Sequence, residues 1–283
     1  KAGQGMNVSM GDGFNLGWKL AMVLQGRAHA NLLCSYSAER HGVAQTLIEF
    51  DQEWARVISE RSDDRDDTPQ FQKYFIEHGR YTAGVSVKYT PSLLTGNDQW
   101  QLLAPGFTIG MRFHSAPVIR LADAKPMHLG HTLKADARWH LFAFAADEDP
   151  SAHDCRLARL VDFLENDPGS PLRRYTPLGA DCDTVIDFRA IMQQGFRTLQ
   201  VSDLPKLCWP QKGRFGLVDY EKAFCADQRS GADIFDMRQI DRQHGCLIIV
   251  RPDQYVADIM PLDAFERLSA FFDGFLLPTS TNG

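Results

Sequence analysis

Lys1-Ala2-Gly3-Gln4-Gly5-Met6-Asn7, followed by Val8-Ser9-Met10-Gly11-Asp12-Gly13-Phe14-Asn15-Leu16-Gly17-Trp18-Lys19-Leu20-Ala21, is the stretch from which the rest of the chain can be read. Two glycines one residue apart let the backbone turn tightly and come close to another molecule. From residue 8 to 24 the apolar or small residues Met10, Phe14, Gly17, Ala21 and Leu24 recur at spacings of four and three. That period predicts an amphipathic helix, and Gly26 is placed to end it. The first amides of such a helix have no partner within it, and its dipole favours an anion or an electron-rich carbonyl there. Taken alone, Gly-x-Gly before a helix leaves two readings open, a ligand-binding turn and a plain helix entry, because many loops with this pattern bind nothing.

Outward from this segment, a second helix is predicted over residues 37–56, with Val43, Leu47, Phe50, Trp54 and Val57 as its stripe. Pro69 suits the first turn of a short third helix through Phe71, Tyr74, Phe75 and His78, ending at Gly79. Val85, Val87 and Tyr89 alternate as a strand would. Residues 90–117 are rich in Gly, Pro and Thr and lack a period, which places a domain boundary near Pro105-Gly106 and divides the chain into 1–104 and 105–283.

Beyond the boundary the pattern is α/β. Strands are predicted at 139–145, 184–188 and 199–201, and a helix at 155–166 through Leu157, Leu160, Val161 and Leu164. Cys246-Leu247-Ile248-Ile249-Val250 reads as a buried strand, Pro252-Asp253-Gln254 as a turn and Tyr255-Val256-Ala257-Asp258-Ile259 as a second strand, so the pair forms a hairpin. A last helix over 262–275 turns Phe265, Leu268, Phe272 and Phe275 inward. Arg251-Pro252 reads as a turn or strand-edge feature.

Composition narrows the function classes. The chain is 44% hydrophobic and 23% charged with a net charge of −6, and its one dense charged run, Asp63-Asp64-Arg65-Asp66-Asp67, is mostly acidic, so no nucleic-acid partner is expected. No apolar run reaches membrane-spanning length and no signal-peptide pattern is present. The sequence opens at Lys1, inside what reads as a functional loop, and an upstream portion is therefore expected. Six scattered cysteines without a Cys-x-x-Cys pair read as reduced thiols of a cytoplasmic protein. His128, His131, His140 and His153 lack a carboxylate or thiolate at metal spacing and read as loop or surface histidines, so no metal is expected.

The wider string changes what the first loop means. Gly3-Gln4-Gly5-Met6-Asn7, Asp12, Asn15-Leu16-Gly17-Trp18-Lys19-Leu20-Ala21, Leu24, Gly26, Leu33, Tyr36 and Glu39-Arg40 together resemble the last flavin-binding segment of the group A flavoprotein monooxygenases, a family that includes the phenol and hydroxybenzoate hydroxylases. The resemblance implies that Gly3 and Gln4 shape a loop at the edge of the isoalloxazine ring. It also implies that the backbone of Gly5, Met6 and Asn7 faces the flavin pyrimidine, where helix amides would stabilise the anionic N1 and O2 of reduced flavin. Asp12 would support the loop, whereas in residues 32–40 Leu33 and Tyr36 read most simply as core contacts and Glu39 with Arg40 as a charge network that fixes two helices. One departure is Gly11-Asp12-Gly13: two glycines inside a helix cost roughly 1 kcal/mol each relative to Ala, and either loosen the helix or allow close packing.

The same resemblance implies a parent enzyme that uses FAD, with NADPH as transient reductant. It would form a flavin C4a-hydroperoxide with oxygen and hydroxylate a phenolic small-molecule substrate. The family's Gly-x-Gly-x-x-Gly, the acidic residue after it and the Gly-Asp pair that contacts the FAD chain are not in this sequence. No catalytic residue is therefore assigned within the 283 residues, and the chain alone is expected not to hydroxylate. The helix stripe of Met10, Phe14 and Leu24 should pack on the upstream FAD region, and the isolated chain is expected to aggregate.

Ala116-Pro117-Val118-Ile119-Arg120-Leu121-Ala122-Asp123, His128-Leu129-Gly130-His131 and Val250-Arg251-Pro252-Asp253-Gln254-Tyr255-Val256-Ala257 resemble the third domain of the phenol hydroxylase and 3-hydroxybenzoate hydroxylase branch. There the resemblance implies a thioredoxin-like domain serving a homodimer. Disulfide exchange is excluded on chemistry, because it needs two vicinal thiols at a helix start. The expected architecture is thus the helical end of a flavin-binding hydroxylase domain followed by a thioredoxin-like domain. Two alternatives stay open: a thioredoxin-like interaction and dimerisation module without activity of its own, and an oxygenase acting on polyketide rings.

Overall fold

The computed structural model describes residues 5–59, 85–229 and 231–279. Gly3, Gln4 and the expected third helix lie outside the described residues. Helix α1 (Gly5–Leu24) and helix α2 (Cys34–Ser59) appear where the period predicted them, and α1 stops at Gly26, whose φ of 67° suits glycine. The buried face of α1 is Asn15, Trp18, Lys19 and Met22, at spacings of three, one and three. The apolar stripe instead points outward, with Met10 59% and Leu24 83% exposed.

The remaining residues build a seven-stranded sheet. In chain order its strands are β1 (Pro117–Arg120), β2 (Lys125–His128), β3 (Trp139–Phe144), β4 (Ile186–Met192), β7 (Ala223–Ala226), β8 (Cys246–Val250) and β9 (Val256–Met260). A separate hairpin of β5 (Gln211–Lys212) and β6 (Leu217–Val218) lies between β4 and β7. The strands lie in the order β2-β1-β7-β4-β3-β8-β9, with β3, β4 and β7 parallel and the others antiparallel to their neighbours. Between β3 and β4 the chain crosses over through α3 (Arg156–Asn166) and α4 (Pro171–Tyr175), as a parallel pair requires. The short α5 (Ile234–Met237) precedes β8, and α6 (Phe265–Asp273) follows β9.

Strand alternation sends side chains to two cores. Trp139, Leu141, Phe188, Ala190 and Ile249 meet α3, α6 and the Trp18–Met22 face of α1. Phe142, Phe144, Ile191, Ile248 and Val256 meet Phe107, Phe113, Leu129 and Phe235 on the other side. Because both faces are covered, β3, β4, β8 and β9 are buried along their whole length; β3 and β8 are accordingly near-continuous apolar runs, whereas β4 and β9 bury Asp187, Arg189 and Asp258 with partners.

Three local expectations differ from the structure. Residues 85–90 are extended but pair in no strand, residues 199–201 lead into a 3-10 turn (Val201–Asp203), and His140 is a buried β3 residue rather than a loop or surface histidine. Residues 87–113 instead run beside the end of the sheet: Gly96 N–H donates to Ala257 O at 2.7 Å, Gly110 N–H to Val256 O at 2.8 Å, and Tyr89 N–H to Gly110 O at 2.9 Å. Gly110 has a φ of 84°, and a Cβ there would sit 2.1 Å from the Tyr89 carbonyl oxygen. Glycine is required for this approach, which brings Tyr89 beside α1 and α2.

The helical pair is bound to the sheet through Trp18, whose ring meets Trp139 edge-on at 5.6 Å, and through pairing of residues 27–29 with 275–277. Trp139 also touches Phe271, Phe272 and Phe275. Trp139→Ala should therefore destabilise the fold by about 3–5 kcal/mol, measured as a lowered urea midpoint. A loss below about 1 kcal/mol would show that α6 and α1 do not share this anchor.

Candidate functional site

The chemistry of the helical pair concentrates where α1, α2, Tyr89 and the β8–β9 turn meet. Arg251 follows β8 and is fully buried. Its Nη1 and Nη2 donate to Glu39 Oε1 and Oε2 at 2.5 and 2.8 Å, and its Nε and Nη2 donate to Asp253 Oδ1 and Oδ2 at 2.9 and 2.8 Å. The guanidinium thus forks onto two carboxylates, the geometry for which Arg is suited and Lys is not. Trp18, Tyr89 and Tyr255 surround it, the nearest ring centroid 4.9 Å away.

From Glu39 the network continues into α1. Lys19 Nζ donates to Glu39 Oε2 at 2.8 Å and to Asn15 Oδ1 at 2.7 Å, and Asn15 Nδ2 donates to Glu39 Oε2 at 2.8 Å and Asp253 Oδ2 at 3.2 Å. The next residue of α2, Arg40, donates from Nε to Asp12 Oδ1 at 2.6 Å, from Nη2 to Val8 O at 3.2 Å and from Nη1 to Tyr89 Oη at 3.1 Å. Three cations, Lys19, Arg40 and Arg251, are balanced by Asp12, Glu39 and Asp253. A methyl group on Gly11 would lie 3.2 Å from Arg40 Nη2, so the close-packing reading of Gly11 holds, whereas Gly13 faces open space.

Burial and charge compete at each member. Burial acts to raise Glu39, but the hydrogen bonds and charge of Arg251, with Lys19 behind them, hold its carboxyl at about 2. Burial lowers Lys19 to about 8, because the pull of Glu39 is offset by repulsion from Arg251. The two partners shift in opposite senses with respect to charge: Glu39 is fixed as an anion by the guanidinium, and Lys19 is the weaker second cation on the same oxygen. Arg40 is raised despite burial by Tyr89 and Asp12.

Of the site residues expected from sequence, Gly5, Met6 and Asn7 form the first turn of α1, and all three are exposed. Nothing described lies within 4 Å of where a Gly5 side chain would begin. Glu39 and Arg40 do fix the two helices, as expected. Arg251, Asp253 and Tyr89 were not singled out as site residues, and Arg251 stands 212 positions from its partner Glu39. An open groove of about 430 Å³ between α2 and residues 86–92, walled by Val43, Thr46, Val87 and Tyr89, adjoins the network.

A second buried cluster lies in the sheet. Lys222 Nζ donates to Asp187 and, at 2.7 Å, to Asp183, while Arg189 Nε donates to Asp187 at 2.9 Å. Burial opposes charge on Asp187, but His140, Arg189 and Lys222 hold its carboxyl far below the ordinary range. Burial lowers His140 and keeps it neutral beside that carboxylate, with Nδ1 3.2 Å from Asp187 Oδ2. Among the described residues no group of three or more His, Cys, Asp or Glu side chains is arranged to hold a metal. The six cysteines are unpaired, and burial pushes Cys182 to about 11 and Cys225 to about 12.

Residues 87–280 match the family described as phenol hydroxylase, C-terminal dimerisation domain. The chain belongs to this family. Residues 1–51 match the FAD binding domain family, so the resemblance to FAD-dependent aromatic hydroxylases read from the sequence is borne out at the level of the family. Among its relatives, 3-hydroxybenzoate 4-monooxygenase of Comamonas testosteroni is 53% identical over 281 residues, covering 98% of this chain and 44% of that protein. Phenol 2-monooxygenase fsqG of Aspergillus fumigatus is 30% identical over 284 residues, covering 97% and 45%. The chain thus spans about half the length of the curated relatives it matches. Two solved structures share the fold: OxyS anhydrotetracycline hydroxylase from Streptomyces rimosus (TM-score 0.52, 18% identity, 98% of this chain and 42% of that one) and aklavinone-11 hydroxylase (TM-score 0.51, 19% identity, 95% and 40%).

The pKa of Glu39 has a pH consequence. With a folded value of about 2 against an ordinary 4.5, its stabilisation is fully present above pH 4.5 and is lost as pH falls towards 2. Lys19 acts at the other end: its lowered value means stability rises as pH climbs from about 8 towards 10.5. Glu39→Gln should cost about 3–5 kcal/mol near neutrality, by leaving buried cations unpaired. In urea titrations the gap between this variant and the parent should close as pH drops below 4.5; a gap constant down to pH 2 would mean that Glu39 is not the titrating group.

Proposed function

We propose that this chain is the C-terminal part of an FAD-dependent aromatic hydroxylase, in which the first turn of α1 cradles the flavin and the sheet unit assembles a homodimer. The single observation that carries the reading is the coincidence of the FAD-binding family match over residues 1–51 with an open helix start at Gly5, Met6 and Asn7. The residues present fit that group: the turn is exposed, the helix behind it is 20 residues long, and its first amides and dipole suit the electron-rich edge of a reduced flavin. When bound, FAD would supply the oxygen-activating chemistry. Gly5, Met6 and Asn7 would supply backbone donors.

The relatives named for 3-hydroxybenzoate and phenol support a phenolic substrate, and NADPH as reductant follows from the resemblance alone. For a division into 1–104 and 105–283, among the described residues α1 and α2 fall before residue 105 and the sheet strands after it, while residues 87–104 already lie against β9. The order β4-β3-β8-β9, with β3 and β4 parallel, the β8–β9 hairpin antiparallel and α6 following, supports a thioredoxin-like unit. Six unpaired thiols suit a reducing cytoplasm, and no described helix is long and apolar enough to cross a membrane.

Absorption spectroscopy with intact-mass measurement on the product of the whole gene tests the flavin reading. Flavin bands on a protein heavier than 31.9 kDa, with NADPH oxidation stimulated by 3-hydroxybenzoate or phenol, are expected. A folded gene product without flavin would leave an interaction module in place of an enzyme. For the dimer, the β5–β6 hairpin carries the exposed apolar residues Phe215 (73%) and Leu217 (70%), with Tyr220 (51%) beside it. If two copies meet there, Phe215→Asp should weaken association by about tenfold or more in sedimentation equilibrium, and an unchanged dimer would place the interface elsewhere.

A further inference from the structure

We infer that Arg251, Glu39 and Arg40 form a positioning relay through which the sheet unit sets the orientation of the first turn of α1, and so tunes a flavin held there. The inference rests on the flavin reading above, and it concerns Arg251, Glu39 and Arg40, which lie outside the Gly5–Asn7 turn itself. The path is short and continuous. Arg251 leaves the end of β8 and forks onto Glu39, whose neighbour Arg40 faces α1. Arg40 then grips α1 at Val8 O, immediately after Gly5–Asn7, and at Asp12, about one helical turn further on.

Three features favour positioning over simple adhesion. Adhesion is already provided by Trp18 against Trp139 and by the pairing of residues 27–29 with 275–277, at the far end of α1. The polar grip is at the other end, where the helix is otherwise exposed, with Met6 71% and Met10 59% accessible. Arg40 reaches Val8 O, Asp12 and Tyr89 Oη with three different nitrogens, and a planar fork held at three points constrains direction as well as distance. Tyr89, held in turn by Gly110 beside β9, is a second route from the sheet to the same guanidinium. Gly11 is the remaining fitted part, since a Cβ there would lie only 3.2 Å from Arg40 Nη2 and press on the guanidinium.

The test uses the flavin-loaded product of the whole gene. Arg251→Lys and Arg40→Lys keep the charges but lose the forks, and Asp12→Asn and Gly11→Ala perturb the grip without touching the buried Arg251–Glu39 pair. Each is measured for FAD dissociation constant, flavin absorption maxima and melting temperature. A relay predicts FAD affinity weakened by about tenfold and displaced flavin bands in Arg251→Lys as well as in the Arg40 and Gly11 variants, within the usual range of coupling between sites. If Arg251→Lys folds, melts lower, and yet binds FAD with the parent's affinity and spectrum, the pair is adhesive only and the relay is wrong. If Arg251→Lys does not fold, Gly11→Ala and Asp12→Asn decide in the same way. A parent protein that holds no flavin at all would overturn the flavin reading itself, a result separate from either outcome.

Discussion

A guanidinium with no access to water must find acceptors for its N–H groups inside the protein, and Arg251 finds them on Glu39 and Asp253. Desolvating such ions costs several kcal/mol each, so the pairing adds little net stability unless its geometry is good. What it adds here is selection of one arrangement. Aromatic contacts such as Trp18 on Trp139 tolerate sliding and rotation, whereas a fork shared between two carboxylates does not. Asn15, Lys19 and Tyr89 then have defined places, and the helical pair has a single seat on the sheet.

The sheet itself is arranged to deliver that guanidinium. Both faces of β8 are covered, and the strand ends in a sharp turn, Arg251-Pro252-Asp253-Gln254, with Gln254 at a φ of 68°, which carries Arg251 and Asp253 to the helical pair. Residues 87–113 occupy the side of β9 that would otherwise be an open edge, and they bring Tyr89 with them. The second ionic cluster around Asp187 plays a comparable part among β3, β4 and the start of β7, where Lys222 links Asp183 and Asp187 and a neutral His140 completes the set. In both places the sequence spends buried charge where irregular backbone meets regular strand.

Elements with a clear period were legible in the sequence. Helices α3 and α6 announce themselves because the spacing of their apolar residues marks one core-facing side. Strand β3 and the β8–β9 hairpin do so because apolar residues run almost unbroken where both faces are covered, and α1 by a period whose apolar stripe points outward. Residues 85–90 and 199–201 misled because short alternation of apolar residues also occurs in extended segments that pair with nothing. The network was half legible: Glu39 and Arg40 stood out beside each other, but Arg251 looked like a turn residue, since pairing across 212 positions leaves no local pattern. The face that α1 buries was hidden for a related reason, because Asn15 and Lys19 are polar residues made acceptable inside by each other and by Glu39 and Asp253, which no local pattern announces.

The pairing of residues 27–29 with 275–277, together with Glu39 on Arg251, also governs the order in which the molecule can mature. On the ribosome α1 and α2 emerge before the sheet, so Trp18 stays without Trp139, and Glu39 without Arg251, 212 positions away, until those strands have been synthesised. Contacts of such sequence separation carry a large loop-closure entropy and form late. The nascent helices are therefore a natural client for a chaperone holding apolar surface, and chain termination shortly before residue 275 would remove the segment with which residues 27–29 pair.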